Sequence, residues 1–264
     1  HAIHPNLVQT SEGQPVFVHA GPFGNIAHGC NSVLGDRLAL GYADYVLTEA
    51  GFGADLGFEK FMHIKARTSG LKPSAAVLVA SVRALRSHGG AKPNELDTPD
   101  PAAVERGICN LEHLIGVVRA FGLPVVVAIK HFPTDTAPEV RIVQDRAQAA
   151  GAHAAVVSKA FSEGGAGAID LAEALIDATK RNPIEPSYLY QESASIEEKV
   201  LALAQKVSGA DDVHWNPAAA RQLKRYDELG WSALPVCMAK THLSLSHDPT
   251  LRGRPNGYTF EVSD

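Results

Sequence analysis

The chain has only three cysteines in 264 residues, Cys30, Cys109 and Cys237, and it contains no Cys-x-x-Cys pair. Because the three lie far apart, the paired spacing of a disulfide framework is missing. Few and unpaired cysteines are typical of proteins in a reducing compartment. We therefore expect a cytoplasmic location.

Long hydrophobic runs and basic clusters are also missing. The longest apolar stretches, such as LPVVVAI at 123–129, are strand-length and fall far short of the roughly 18 residues of a membrane helix. The 24 Lys and Arg residues are scattered and are outnumbered by 29 Asp and Glu, for a formal net charge of -5. The sequence thus predicts neither a membrane span nor a nucleic-acid-binding surface.

Short β-branched apolar runs alternate with longer helix-patterned segments. The predicted strands are PVFVHA (15–20), ADYVLTEA (43–50), AAVLVA (75–80), PVVVAI (124–129) and HAAVVS (153–158), and the predicted helices lie within 25–42, 100–122 and 137–151. Continuous apolar strands joined by helices predict an α/β fold with a mostly parallel sheet and helices on both faces.

Two nearby prolines, Pro183 and Pro186, interrupt this rhythm. We place a domain boundary near Asn182, which gives a parallel-sheet α/β domain at 1–182 and a smaller α/β subdomain at 183–264. The subdomain pattern predicts two helices separated by a strand at DDVHW. It also predicts a strand early in the segment that begins at LPVC and a last strand at GYTFEV.

The loops after the predicted strands carry the most informative pattern. Glycines and phenylalanines gather in four of them, at 21–29, 51–57, 130–136 and 159–167. Ligands of open parallel sheets bind at the carboxyl ends of the strands, where glycine N–H groups can approach an anion and phenylalanines can cover a ring. The coincidence predicts a pocket for a ringed, anionic ligand, although a single glycine-rich turn is more often only a turn.

The first of these loops, GPFGNIAHGCNS, raises two other possibilities. His28 and Cys30 suggest a metal site, but on the predicted helix their side chains diverge and no second ligand pair is in reach, so we predict none. A nucleophilic Cys30 would need a base and an oxyanion site. The chain has no G-x-x-x-x-G-K-[ST] loop, and GFGADLG misses the dinucleotide fingerprint by its spacing.

Five long segments, in order along the chain, resemble the formate–tetrahydrofolate ligase family. They are PVFVHAGPFGNIAHGCNSVLGDRLAL, ADYVLTEAGFGADLGFEKF, GLKPSAAVLVASVRALRSHGG, FGLPVVVAIKHFPTDT and LPVCMAKTHLSLSHDP. The resemblance implies an ATP-dependent carbon–nitrogen ligase of one-carbon metabolism, which joins formate to tetrahydrofolate through formyl phosphate and releases ADP and phosphate. It also implies ATP with Mg²⁺, a monovalent cation, a homo-oligomer, and a P-loop NTPase-like architecture, here without its P-loop.

Matched to the family's segments, the loops supply the candidate site residues. The resemblance implies that the loop at Gly24, with Phe52 and Gly57, lies against formyl phosphate and the pterin ring. Candidate catalytic groups are Gly24, Asn25, His28 and Gly57, and candidate substrate-binding residues are Phe52, Gly57, Phe132, Pro133 and Phe161. Candidate nucleotide-binding residues are Pro133, Val157 and Ser158. Further polar candidates are Glu49, Asp55 and Asp135, each equally suited to a turn or cap, with Asp135 expected to cap the helix at 137.

The chain departs from the family pattern at several of these positions. Phe161 stands where a tryptophan normally stacks on the pterin, so we expect weaker stacking from its smaller ring. Lys130 and His131 replace the usual asparagine and arginine before FPTDT, and Gly24 replaces an alanine. These departures indicate a divergent member or a related protein with altered activity.

Family chains are longer and carry an N-terminal Walker-type loop, whose lysine binds the ATP phosphates, and an arginine for formyl phosphate. Neither lies in this sequence. The chain begins at His1 without a methionine and stops within a predicted strand, so we expect both ends to be cut. A second hypothesis is therefore a non-catalytic module that binds folate or a partner subunit. A third, a dinucleotide-dependent oxidoreductase, is weakened by the failed fingerprint.

Overall fold

The computed structural model describes residues 3–180 and 185–264. The chain divides into two compact units. Unit 1 comprises His1–Leu71 with Pro235–His242, and unit 2 comprises Lys72–Leu234 with Leu243–Asp264. The predicted boundary near Asn182 lies outside the described residues, so a division there stays a prediction.

Unit 1 is built from short elements. They are β1 (Asn6–Gln9), β2 (Pro15–Val18), α1 (Val33–Leu40), two π-helical turns at Ala54–Phe58 and Phe61–Ala66, and α2 (Arg67–Ser69). Strands β1 and β2 pair antiparallel as a hairpin. The side chain of Ser32 caps α1 by accepting the N–H of Gly35 at 2.9 Å.

Several predictions for unit 1 were wrong. The strand predicted at 15–20 forms, but it belongs to the hairpin and not to the parallel sheet. The segment 43–50 is irregular except for one bridge between Ala50 and Cys30, because a β-branched pattern makes a strand only beside a partner. The first helix starts at Val33, not at Asn25, since the glycine-rich residues before the Ser32 cap form turns. No strand forms in Pro235–His242 either.

Unit 2 contains the predicted parallel sheet. Its strands β3 (Ala76–Ala80), β4 (Val125–Lys130) and β5 (Ala154–Ser158) are parallel, with β4 in the centre. Residues Val125 to Ile129 are at most 3% exposed, so both faces of β4 are covered. The helices that connect and cover the strands are α3 (Val82–His88), α4 (Pro101–Ala120), α5 (Ala137–Ala149), α6 (Ala160–Glu163) and α7 (Ile169–Thr179).

The rest of unit 2 is a smaller α/β part. It consists of α8 (Ile196–Leu203), a π-helical turn at Ala204–Ser208, β6 (Asp212–Trp215), α9 (Pro217–Glu228) and β7 (Thr259–Val262). The pairing of β6 with β7 is parallel. The strands predicted at DDVHW and GYTFEV and the two helices are therefore confirmed. The described helices include none long and apolar enough to cross a membrane.

A fully buried ion pair fixes the loop that follows β4. The Nε and Nη2 atoms of Arg86 in α3 lie 2.8 and 2.7 Å from the two carboxylate oxygens of Glu139 in α5. Arg86 also donates to the carbonyl oxygen of Thr134, while Glu139 accepts the N–H groups of Asp100 and Thr136. Burial alone would raise the pKa of Glu139, but these hydrogen bonds lower it to about 2.

We expect Arg86→Met to destabilise the protein by about 3–5 kcal/mol, because Glu139 would remain buried without its charge partner. The matched control is Arg83→Met, in the same helix, whose partner Asp97 lies 3.1 Å away with both side chains about half exposed. Its loss should cost less than about 1 kcal/mol. Urea unfolding midpoints measure both, and equal effects would contradict a special role for the buried pair.

Candidate functional site

Unit 1 contains a cavity of about 610 Å³ beside the loop that follows β2. It is lined by residues 16–24 and 29–31 and by Leu47, Thr48, Glu49, Gly51 and Phe52. Phe23 and Phe52 keep large exposed ring surfaces, and Glu49 is the acidic member of this lining. The volume suits a small-molecule ligand. Of the predicted unit 1 site residues, Gly24, Glu49 and Phe52 reach this cavity.

Glycines let the two loops of this cavity touch backbone to backbone. A Cβ atom on Gly24 would lie 2.6 Å from the carbonyl oxygen of Gly51, and one on Gly57 only 2.1 Å from the same oxygen. The N–H of Gly57 donates to Gly51, and the N–H of Gly51 donates to Gly29. The N–H groups of Gly51 and Gly57 thus donate to backbone carbonyl oxygens and hold the loops together.

Lys60 fixes the same loop from beneath. Its side chain is buried, and its Nζ donates to the carbonyl oxygens of Gly24 at 2.7 Å and Ala27 at 3.0 Å. Burial lowers the pKa of Lys60. Sequence reasoning missed this residue, although a lysine within the apolar pattern LGFEKFM is a signal for a buried, partnered cation.

His28 and Cys30 lie on the loop and not on a helix. The Nδ1 of His28 accepts the N–H of Cys30 at 3.3 Å. Burial lowers the pKa of His28, and the positive charges of Lys65 and Lys60 lower it further. Burial raises the pKa of the Cys30 thiol to about 11, and its Sγ donates to the carbonyl oxygen of His28. A thiol with this pKa stays protonated, which argues against a nucleophilic Cys30.

Asp55, one of the polar candidates beside the loop, is paired within the protein. The Nζ of Lys240 lies 2.7 Å from the Asp55 carboxylate, with both side chains buried. The backbone N–H of Lys240 donates to the carbonyl oxygen of Asn25 at 3.1 Å. Lys240 thereby joins the two glycine-rich loops of unit 1, which gives Asp55 a structural role in the loop.

Phe52 has a strained backbone. Its φ of 63° lies in the left-handed region, which a bulky residue rarely adopts, and its ring stacks on His242 at 4.8 Å between centroids. Such a conformation costs on the order of 1 kcal/mol and persists only where the surroundings impose it. The strain orients a half-exposed ring at the cavity wall.

In unit 2, the predicted residues gather at the carboxyl ends of β4 and β5. Val157 and Ser158 end β5, and the carbonyl oxygen of Ser158 accepts the N–H of His131 at 3.1 Å. Phe161 follows in α6 and is 92% exposed. The Nζ of Lys130 lies 5.3 Å from the ring centroid of Phe132 and 5.9 Å from that of Phe161.

The loop that carries Phe132 and Pro133 is closed by Asp135. The Oδ2 atom of Asp135 accepts the N–H of Phe132 at 2.8 Å. The cap of α5 is Thr136, so the prediction that Asp135 caps this helix was wrong. The side chain of Asp135 is fully buried, and its Oδ1 atom lies 4.0 Å from Nη2 of Arg86. Arg86, which no sequence pattern singled out, therefore supports this loop.

Unit 2 has the organisation of a small-molecule-binding α/β protein, with exposed rings and short loops at the carboxyl ends of parallel strands. The chain belongs to the formate–tetrahydrofolate ligase family, whose model matches residues 1–264. This confirms the resemblance found in the sequence.

Three relatives named formate–tetrahydrofolate ligase illustrate the match. The chain is 50% identical to that of Desulforamulus reducens over 271 residues, 51% to that of Myxococcus xanthus over 266, and 50% to that of Bacillus pumilus over 263. Each comparison covers 100% of this chain and 47–48% of the relative. The chain thus spans about half the length of the curated relatives it matches.

We expect Gly57→Ala to destabilise the protein by at least about 1–3 kcal/mol, because the new methyl group would overlap the Gly51 carbonyl oxygen. Gly116→Ala is the control, since Gly116 lies in helix α4 with nothing within 4 Å of the added Cβ. That change should stabilise the helix by up to about 1 kcal/mol. Urea unfolding decides: an unaltered midpoint for Gly57→Ala would rule out the tight loop packing.

Proposed function

We propose that this chain forms part of a formate–tetrahydrofolate ligase, which makes 10-formyltetrahydrofolate, ADP and phosphate from ATP, formate and tetrahydrofolate. Family membership over the whole chain supports this reaction. The structural observation that carries it is Phe161, an almost fully exposed ring at the carboxyl end of a parallel strand. An aromatic side chain in that position suits stacking on a heteroaromatic ligand.

Unit 2 supplies the ring-binding residues in this proposal. Phe161 stacks on the pterin, and Phe132 and Pro133 line the folate and nucleotide pocket. Val157 and Ser158 contact the adenine of ATP. The closed turn at Asp135 and the Arg86–Glu139 pair support the proposal, because they hold the loop of Phe132 and Pro133 rigid before a ligand arrives.

Unit 1 supplies the surroundings of the acyl phosphate. The loop of Gly24, Asn25 and His28 lies against formyl phosphate, with Gly57 fixing the loop and Phe52 contributing a ring surface. The buried Lys60 adds positive charge behind this loop, which favours an anionic ligand. The neutral imidazole that burial favours for His28 can exchange hydrogen bonds without adding charge.

Catalysis then consists of positioning and electrostatics. Formate attacks the γ-phosphoryl group of ATP, and N10 of tetrahydrofolate attacks the carbon of the resulting formyl phosphate, so no residue triad is needed. When bound with ATP, Mg²⁺ would neutralise charge on the phosphates. Glu49, the acidic residue of the cavity lining, would hold such an ion beside the acyl phosphate. A monovalent cation completes the proposed requirements.

The proposal extends to architecture and assembly. We assign the sheet of unit 2 to a P-loop NTPase-like architecture that lacks its P-loop within this chain, and we assign the full-length protein to a cytoplasmic homo-oligomer. The three cysteines support the location, since none of them is in a disulfide in the described structure.

The alternative is a module that binds folate or a partner subunit without turnover. One observation favours it: the 264 residues contain no G-x-x-x-x-G-K-[ST] loop for the ATP phosphates. The assay is formation of 10-formyltetrahydrofolate from ATP, formate and tetrahydrofolate by this chain. Turnover excludes the binding-only alternative, whereas tetrahydrofolate binding without turnover supports it.

We expect Phe161→Ala to weaken tetrahydrofolate binding about 5- to 10-fold, because ring stacking contributes on the order of 1 kcal/mol. Phe161→Trp should tighten binding, since the larger ring offers more stacking area. The control is Leu229→Ala, at another exposed apolar residue of unit 2, which should leave the affinity unchanged. Isothermal titration calorimetry measures all four proteins, and an unchanged Kd for Phe161→Ala would refute stacking at this residue.

A further inference from the structure

Lys130 ends the central strand of the sheet and projects its charge toward two aromatic rings. Its Nζ lies 5.3 Å from the ring centroid of Phe132 and 5.9 Å from that of Phe161, both within cation–π range. Phe132 lies two residues after Lys130, in the loop that follows β4. Phe161 lies in α6, which follows the neighbouring strand β5. One ammonium group therefore contacts the aromatic residues of two strand ends.

The charge of Lys130 is not neutralised within the described structure. None of the carboxylates in residues 3–180 and 185–264 pairs with its ammonium. The nearest lysine along the strand ends behaves differently, since Nζ of Lys159 lies 3.6 Å from the Glu163 carboxylate. Two lysines of similar position thus differ in that one has a counter-ion and the other faces only rings.

The position of Lys130 beside two aromatic rings favours one chemical class of ligand. A flat ligand ring that stacks on Phe161 lies near the Lys130 ammonium, which is 5.9 Å from the centroid of Phe161 and attracts negative charge carried by the same ligand. A ring without an anionic group gains stacking alone. The cation and the rings together therefore favour ligands that combine both features.

We propose that Lys130 binds an anionic group, a carboxylate or a phosphate, of the ring ligand that stacks at the ends of β4 and β5. This inference rests on the proposed function and adds a specificity-determining contact to it. Two sources carry the required chemistry, the glutamate carboxylates of tetrahydrofolate and the phosphates of ATP.

The experiment compares charged ligands with uncharged counterparts on four proteins, by calorimetry at low and at physiological salt. The ligand pairs are tetrahydrofolate with tetrahydropterin, and ATP with adenosine. The proteins are the wild type, Lys130→Gln, Lys130→Arg and the matched control Lys159→Gln. Lys130→Gln should weaken the charged member of one pair about 5- to 10-fold and flatten its salt dependence. Lys130→Arg and Lys159→Gln should stay within about 2-fold of the wild type.

Each result has a defined meaning. A loss for tetrahydrofolate but not tetrahydropterin identifies a carboxylate contact, and a loss for ATP but not adenosine identifies a phosphate contact. Equal losses for charged and uncharged ligands, or no loss, overturn the inference. Tighter binding to Lys130→Gln also overturns it, because the ammonium would then compete with the ligand ring. If the wild type binds none of the four ligands, the proposed function itself fails, which is distinguishable from failure at Lys130 alone.

Discussion

The buried pair of Arg86 and Glu139 is the interaction on which the strand-end loops of unit 2 depend. Its two side chains join helices α3 and α5 and also take up backbone groups of Asp100, Thr134 and Thr136. Charges enter an interior only when partners compensate their lost hydration. Once buried, the two charges require those partners to stay in place, so the buried ion pair holds the loop after β4 in one conformation.

In unit 1, too, buried charged side chains hold the loops in place. Lys60 anchors the carbonyl oxygens of the glycine-rich loop, and Lys240 joins Asp55 to the backbone of Asn25. Glycines alone would leave these loops with many conformations, because each glycine loses more entropy on ordering than any other residue. Buried lysines offset that cost by holding carbonyl oxygens that would otherwise need water.

Features that depend on neighbouring residues in the sequence could be predicted, whereas features that depend on contacts between distant residues could not. The apolar runs at 124–129 and 153–158 predicted β4 and β5, because a parallel strand that is covered on both faces needs apolar side chains at consecutive positions. The equally β-rich run at 43–50 failed, since its pairing depends on a neighbour that the segment does not encode. Candidate residues followed from their positions after strands, whereas Arg86 and Lys60 were missed because their partners Glu139 and Gly24 lie 53 and 36 residues away along the chain.

The difference between buried and exposed charge also explains where this chain can differ from its relatives. Replacing Arg86 would leave the carboxylate of Glu139 buried without its charge partner, so a substitution at Arg86 would greatly lower the stability of the protein. Lys130 and Phe161 project from strand ends, where a new side chain disturbs little packing. A change at Lys130 or Phe161 therefore alters the charge or the ring surface that a ligand meets, while the scaffold that positions these residues stays the same.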